Sequence, residues 1–112
     1  METISWDDFQ KVDLRLGTIV EAIEFPEARK PAYILKVDFG IEIGVKKSSA
    51  QITDLYNAES LIGKKVLAVV NFQPKQIGPI KSECLVTGFY NADGQVVLAV
   101  PDQEIDNGSR LA

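Results

Sequence analysis

The most informative stretch of the sequence is residues 12–25, which read VDLRLGTIVEAIEF. Apolar and polar residues alternate here, which is typical of a strand with one buried face. The apolar set changes parity between Leu16 and Ile19. A parity change within one long strand requires a bulge or bend, and Gly17 is the residue that permits it. A long bent first strand is what a small closed barrel needs, because that strand must serve two faces.

On the N-terminal side of this stretch, Ser5-Trp6-Asp7-Asp8 matches a capping box and predicts a short helix to about Lys11. On its C-terminal side, the pattern predicts further strands. These are Tyr33–Phe39, Ile41–Val45, Val66–Phe72, Cys84–Tyr90 and Gln95–Val100. The last two form a hairpin, because Asp93-Gly94 between them is a strong turn signal.

Two segments break the strand pattern. Ser48–Gly63 predicts short helical turns between the third and fourth strands, with Ser49 as a candidate cap and Gly63 as the stop. Gln73–Glu83 contains two prolines and predicts a loop. This order of elements predicts an all-β fold, the OB-fold, a five-stranded Greek-key barrel. We expect one domain over residues 1–112, with short helices at the N-terminus and between strands 3 and 4, plus an extra C-terminal strand.

The composition disfavours most enzyme classes. The 112 residues include no histidine, which excludes histidine-based acid–base catalysis, and the lone Cys84 cannot form an internal disulfide. No nucleophile–base pair, metal cluster or cofactor motif is present, so we expect a binding protein and no cofactor. The longest apolar run, Val66–Val70, is far too short for membrane insertion, and the N-terminus lacks signal-peptide features. We therefore expect a cytoplasmic protein.

The net charge of −4 conceals a basic middle. Residues 1–24 carry a net −4, residues 25–81 a net +4, and residues 82–112 a net −4. The basic part covers the places where OB-folds bind linear ligands, so it suggests an anionic or polar partner, although solvated surface cations would give the same pattern. Candidate rim or RNA contacts are Arg29, Lys30, Lys47, Ser48, Ser49, Gln51, Lys75, Lys81 and Ser82. Lys46 and Lys47 have opposite parity, so only one of them can face a ligand.

A cluster of amide and apolar side chains follows the fourth predicted strand. Asn71 and Gln76 offer amides that both donate and accept, and Phe72, Pro74 and Ile77 offer apolar contact beside them. This combination suits an extended peptide, whose backbone needs hydrogen-bonding partners. The same residues also fit a loop in which Asn71 closes a turn and Ile77 fills the barrel end.

Several strings resemble the tRNA-binding OB modules, such as those appended to methionyl-tRNA synthetases, and resemble the CsaA family of export-associated chaperones more closely. They are Val12–Val20, Phe25–Tyr33, Asp38–Gly40, Glu42–Gly44, Ser48–Thr53, Ala68–Phe72, Gln76–Gly78, Lys81–Glu83 and Pro101–Asp102. The tRNA-binding relatives usually have His-Pro-x-Ala-Asp after the first strand. This chain has Phe25-Pro26-Glu27-Ala28-Arg29 there, which favours the CsaA family.

The resemblance implies a homodimer that binds unfolded precursor polypeptides and engages the export machinery. The extra strand and polar tail predicted after the barrel also suggest a two-fold dimer. The alternative is a free-standing tRNA-binding protein. Because the net charge is negative, we expect tRNA binding to be weak and sensitive to salt.

Overall fold

A computed structural model describes all residues, 1–112. Helix α1 spans Trp6–Gln10 and helix α2 spans Ala58–Leu61. The nine strands are β1 (Leu14–Glu24), β2 (Tyr33–Asp38), β3 (Val45–Ala50), β4 (Lys65–Val69), β5 (Lys75–Ile77), β6 (Ile80–Ser82), β7 (Leu85–Val86), β8 (Gly88–Tyr90) and β9 (Val96–Leu98). Neither helix has the length and apolar run that a membrane span requires.

Five strands form an antiparallel sheet in the order β3-β2-β1-β4-β7, and it curls into a nearly closed barrel. Strand β1 pairs with β4 along its first half and with β2 along its second half, so it serves both sides of the barrel. Helix α2 lies between β3 and β4 in the chain. The prediction of a five-stranded OB-fold barrel is confirmed. The predicted extra C-terminal strand is β9, which pairs with β8 in a two-stranded hairpin separate from the five-stranded sheet.

The parity change in β1 is real, but its predicted position at Gly17 is wrong. The register with β2 shifts between Ile19 and Glu21, which places the bulge at Val20. Gly17 has a different role, because a Cβ there would lie 2.5 Å from Val37 Cγ1 and 2.8 Å from the Phe39 ring. The glycine therefore lets two core side chains approach the β1 backbone.

The barrel interior is filled by aliphatic and aromatic side chains. Fully buried members include Ile19, Leu35, Val37, Phe39 and Val66. Four of them lie in β1, β2 and β4 and Phe39 directly follows β2; strand alternation turns every second side chain inward. Leu61 of α2 is also completely buried and joins the same cluster, so this short helix closes part of the barrel.

The middle and end of the chain differ from the predicted elements in three places. Residues Ile41–Ile43 form a turn instead of the start of a strand. Strand β3 therefore begins only at Val45, and it extends to Ala50, into the segment where helical turns were predicted. The predicted loop Gln73–Glu83 contains the β5–β6 hairpin. The predicted strand Cys84–Tyr90 is interrupted at Thr87, where the chain changes its partner from β4 to β9.

At the chain ends, α1 precedes β1 and the C-terminal tail is hydrogen-bonded to the first half of β1. The predicted capping box is present, since Ser5 Oγ accepts from the Asp8 N–H at 3.0 Å and Asp8 accepts from the Ser5 N–H at 3.2 Å. The tail lies along the free edge of β1, where the Leu16 N–H donates to Ser109 O at 2.9 Å and the Gly108 N–H donates to Leu16 O at 2.7 Å. The polar tail therefore extends the sheet instead of leaving it.

Candidate functional site

A groove of about 730 Å³ opens between two edges of the barrel. Two runs of consecutive residues line it, Ser49–Asp54 on one side and Leu85–Tyr90 on the other. On one side β3 ends at Ala50 and residues 51–54 form the loop that follows it, whereas the other side consists of β7, Thr87 and β8. Strand β3 pairs only with β2, β7 only with β4, and β8 only with β9. The groove therefore lies between segments that have no strand partner on its side.

The barrel closes at one end of this groove through side chains as well as backbone. The Glu83 N–H donates to Lys47 O at 2.7 Å, and the Lys47 N–H donates to Glu83 Oε1 at 3.0 Å. The Ser49 N–H donates to Ser82 Oγ at 3.1 Å. Beyond Ser49 no hydrogen bond joins the two lining runs, so the edges separate and the groove opens.

The groove is apolar at its floor and aromatic at its margin. Ala50 and Ile52 are buried and form part of the floor. Phe89 and Tyr90 are 69% and 81% exposed, although both are large and apolar enough to be buried in most proteins. Exposed aromatic side chains beside an apolar floor are typical of surfaces that bind another molecule.

The charge of the groove is balanced. Lys30 is the one cation among its lining residues, and Asp54 is the one carboxylate. A polyanion such as RNA gains most of its binding free energy from several cationic contacts, which this groove does not offer. An uncharged or mixed-charge ligand is compatible with it.

The structure divides the residues predicted from sequence into separate groups. Three of them line the groove: Lys30, Ser49 and Gln51. The 71–77 cluster and the remaining rim candidates do not line it. The sequence therefore located one side of the groove, while the other side, Leu85–Tyr90, was not predicted. The available signal was the adjacent pair Phe89-Tyr90, since two neighbouring aromatics in one strand cannot both face the core.

Asn71 was predicted to pair with the backbone of a bound peptide, and in the structure its amide already makes two hydrogen bonds within the chain. Asn71 Nδ2 donates to Lys11 O at 2.7 Å, and Asn71 Oδ1 accepts from the Asp13 N–H at 3.0 Å. The side chain therefore ties the end of β4 to the segment that joins α1 to β1. These bonds give Asn71 a structural role between elements, and its pairing with a bound peptide stays a prediction.

Gln76 is also engaged, since its amide nitrogen donates to Gly78 O at 2.8 Å and to Ile80 O at 3.0 Å within its own hairpin. Phe72 remains 58% exposed, and Ile77 is half-buried. The hairpin tip at Gly78 lies against the ring of Phe25. Pro74 and Lys75 are exposed on the same hairpin arm, away from the groove.

Ser48 was a candidate ligand contact, and this prediction is wrong because Ser48 is only 1% exposed. It faces the barrel interior beside Cys84, whereas Lys47 and Ser49 have the opposite parity and point outward. Lys46 shares the parity of Ser48, so Lys47 is the cation on the outer face. Burial raises the pKa of the Cys84 thiol to about 12, which leaves it protonated and unreactive near neutral pH.

The basic middle of the chain forms a second candidate surface. Of its nine cations, Lys36 alone has a carboxylate partner, Glu21 at 3.3 Å, and Lys65 donates to Ile105 O at 2.7 Å. The other seven have no carboxylate within 4 Å. They are Arg29, Lys30, Lys46, Lys47, Lys64, Lys75 and Lys81. Because Lys75, Lys81 and Lys47 lie on the β5–β6 hairpin and the adjoining β3, part of this charge is gathered on one side of the barrel.

A third surface lies where α1 meets the tail. Trp6 is 63% exposed and packs against Phe9 with ring centroids 5.4 Å apart, so its ring lies outside the core. With Val12 and Leu111 these rings line a cleft of about 320 Å³. Helix α1 has no buried residue, so its apolar face is left uncovered by the chain itself.

Comparison with known proteins identifies the family. The family model described as "Putative tRNA binding domain" matches residues 14–110, and the chain belongs to this family. The crystal structure of chaperone CsaA from Bacillus anthracis str. Ames has a TM-score of 0.92 and 50% identity, covering 99% of this chain and 100% of that one. The CsaA chaperone protein from Picrophilus torridus also has a TM-score of 0.92, with 51% identity over 98% of this chain and 100% of that one.

The curated relatives are larger proteins. Methionine–tRNA ligase of Flavobacterium johnsoniae is 35% identical over 98% of this chain, which spans only 15% of the ligase. The matched family is a binding domain, and the two structures are named as chaperones, whereas the ligases carry the domain as a small part. These likenesses support a chaperone or tRNA-binding role.

Proposed function

We propose that the chain is a chaperone-type binding protein that holds extended segments of unfolded polypeptides in the groove between Ser49–Asp54 and Leu85–Tyr90. The observation that carries this proposal is the combination of an apolar floor, two exposed aromatics and balanced charge between unpaired edges. A polypeptide backbone is neutral and rich in hydrogen-bonding groups, so it matches such a surface. The 50% identity to a protein named as a chaperone, over nearly the whole of both chains, supports the same conclusion.

The test compares two exposed phenylalanines, one in the groove and one outside it. We expect Phe89→Asp to weaken binding of fluorescently labelled, reduced and carboxymethylated α-lactalbumin by about tenfold or more, because a charge on the aromatic margin must be desolvated. Phe72→Asp is the matched control and should change affinity by less than about twofold. Fluorescence anisotropy measures both, with circular dichroism to confirm folding.

The opposite outcome has a definite meaning. If Phe72→Asp abolishes binding and Phe89→Asp does not, the polypeptide binds at the 71–77 cluster predicted from sequence, and the groove proposal is overturned. If the wild-type chain does not bind the unfolded polypeptide at all, the chaperone-type function itself is contradicted.

We also propose that the chain acts as a two-fold homodimer and that its clients are precursors awaiting export from the cytoplasm. The apolar cleft between α1 and the tail supports the dimer, since apolar side chains that the chain leaves exposed favour self-association. The resemblance to export-associated chaperones supports the export role. An unfolded precursor carrying its signal peptide should bind, whereas its folded mature form should not; equal binding of the two would contradict this part.

A second candidate function is tRNA binding, and the eight cations of residues 25–81 without a carboxylate partner favour it. A salt titration distinguishes the two functions. Affinity for tRNA should fall steeply with rising salt through counterion release, whereas affinity for unfolded polypeptide should change little. Replacing both Lys75 and Lys81 by Ala should weaken tRNA binding and leave polypeptide binding unchanged. A Kd for tRNA below about 1 μM at ~0.15 M salt would make RNA the principal ligand.

A further inference from the structure

The hydrogen-bond phase of the β8–β9 hairpin determines which backbone groups of β8 face the groove. The Ala99 N–H donates to Thr87 O at 3.1 Å, and the Asn91 N–H donates to Gln95 O at 2.9 Å. In an antiparallel pair, hydrogen-bonded and non-hydrogen-bonded pairs alternate. These two bonds make Thr87–Ala99 and Asn91–Gln95 hydrogen-bonded pairs. Phe89–Val97 lies two residues from each of them, so it is also a hydrogen-bonded pair.

The alternate pairs therefore turn their backbone groups away from the hairpin. Gly88 pairs with Leu98 and Tyr90 with Val96, and both are of the non-hydrogen-bonded type. The other strand confirms the phase, since the Leu98 N–H points away from β8 and donates to Tyr56 Oη at 3.0 Å. On β8, the N–H and C=O groups of Gly88 and Tyr90 face its unpaired edge, and both residues line the groove.

We infer that the groove binds its ligand by strand addition, in which an extended polypeptide segment pairs with the backbone of Gly88 and Tyr90 along the free edge of β8. This inference rests on the proposed function and specifies how that site works. Main-chain pairing provides affinity for any extended sequence, which is what a binder of unfolded chains requires. The occupant is a polypeptide because its amide groups complement those of the edge and because the groove carries no net charge.

The same geometry defines the class of segment bound. In an added strand, every second side chain turns toward the buried floor at Ala50 and Ile52, and the others turn toward solvent. The preferred ligand therefore alternates apolar and polar residues over about six positions, roughly 20 Å. Proline is excluded at positions whose N–H must pair with β8. Segments that form strands in folded proteins have this pattern, so the groove recognises them before they fold.

The decisive experiment uses a labelled peptide of about ten residues in which valine and serine alternate, with a single N-methyl group moved along its backbone. Strand addition predicts a period of two. N-methylation at one parity should weaken binding by about tenfold, since it removes a paired N–H, and at the other parity by less than about twofold. A control peptide of the same composition with its valines in one block should bind more weakly.

The protein side has a matched pair of variants. Tyr90→Ala retains the outward N–H and should reduce affinity only through the lost ring, whereas Tyr90→Pro removes that N–H as well and should bind about tenfold more weakly than Tyr90→Ala. Circular dichroism and thermal unfolding check that both fold. Strand addition is overturned if the effect of N-methylation does not alternate along the peptide. It is also overturned if Tyr90→Pro folds and binds the peptide as tightly as Tyr90→Ala does. The proposed function still stands in that case if unfolded α-lactalbumin binds in a Phe89-dependent way.

Discussion

Gly17 shows how a single missing carbon controls the packing of the barrel. A Cβ at this position would overlap Val37 and Phe39, and both of these side chains are completely or almost completely buried. Neither can move outward, because protein interiors are packed as densely as organic crystals. The glycine therefore makes room for the Val37 and Phe39 side chains beside the β1 backbone, which is a packing requirement and not the bend that the sequence suggested.

We expect Gly17→Ala to lower the free energy of unfolding by about 3 kcal/mol through overpacking. Val37→Ala should cost about 2 kcal/mol by leaving a cavity. The double variant should be more stable than the sum of the two losses predicts, since removing the Val37 methyl groups makes room for the new Cβ. Urea unfolding measures all three variants. Strict additivity would show that Gly17 acts through backbone conformation alone.

Cys84 gives a prediction about pH. Its pKa is raised by burial from 9.0 to about 12, so above pH 9 the unfolded thiol ionises while the folded one remains protonated. Rising pH therefore favours unfolding, and the stability contributed by protonated Cys84 is present below pH 9 and lost as pH rises toward 12. The difference in unfolding free energy between wild type and Cys84→Ala should be constant below pH 9 and then shift against wild type. The slope is at most ~1.4 kcal/mol per pH unit. An unchanged difference up to pH 11 would contradict a buried, protonated thiol.

At the scale of elements, the long alternating strands and the turn residues were predictable. Asp93-Gly94 gives the β8–β9 turn, where Gly94 has φ of 77°, and alternation predicts β2 from Tyr33 onward. The β5–β6 hairpin was not predictable, because each strand has only three residues and Pro74 and Pro79 argue against strands locally. Its formation depends on tertiary contacts with β3 and with the Phe25 loop, which no local pattern contains.

Asn71 connects two elements, and its replacement tests this role directly. Asn71→Ala should lower the free energy of unfolding by about 1–2 kcal/mol, since two hydrogen bonds to the segment between α1 and β1 are lost. Affinity for unfolded polypeptide should stay within about twofold of wild type. The control is Gln73→Ala, an exposed amide with no side-chain hydrogen bond, for which we expect a change within about 0.5 kcal/mol. A tenfold loss of affinity in Asn71→Ala with unchanged stability would instead support the ligand role that the sequence suggested.

At the scale of the whole molecule, the sequence predicted the barrel but only part of the groove. The order of strands around α2 follows from patterning, which is local. The groove depends on where two edges fail to meet, which is set by the hydrogen bonds of Lys47 and Ser49 to residues some 33–37 positions away in the chain. Amide residues such as Asn71 and Gln76 look available for a ligand in sequence, whereas folding uses them internally.

The dimer prediction also belongs to this scale. Light scattering at micromolar concentration should give twice the mass of one chain for the wild type and the mass of one chain for Trp6→Asp, because a carboxylate in the cleft between α1 and the tail opposes apolar contact. Phe72→Asp, an equally exposed aromatic position outside the cleft, should remain dimeric. A monomeric wild type would overturn the dimer, and a dimeric Trp6→Asp that folds normally would show that the interface lies elsewhere.

The central claim is that unfolded polypeptide binds between the two barrel edges, and a photocrosslinking map tests it most directly. A peptide of alternating valine and serine carrying a benzophenone side chain is irradiated with the wild-type chain, and the crosslinked residues are identified by mass spectrometry. We predict crosslinks in both lining runs, Ser49–Asp54 and Leu85–Tyr90. Crosslinks concentrated at residues 71–77, or on the cations Lys75 and Lys81, with none in the lining runs, would contradict the claim.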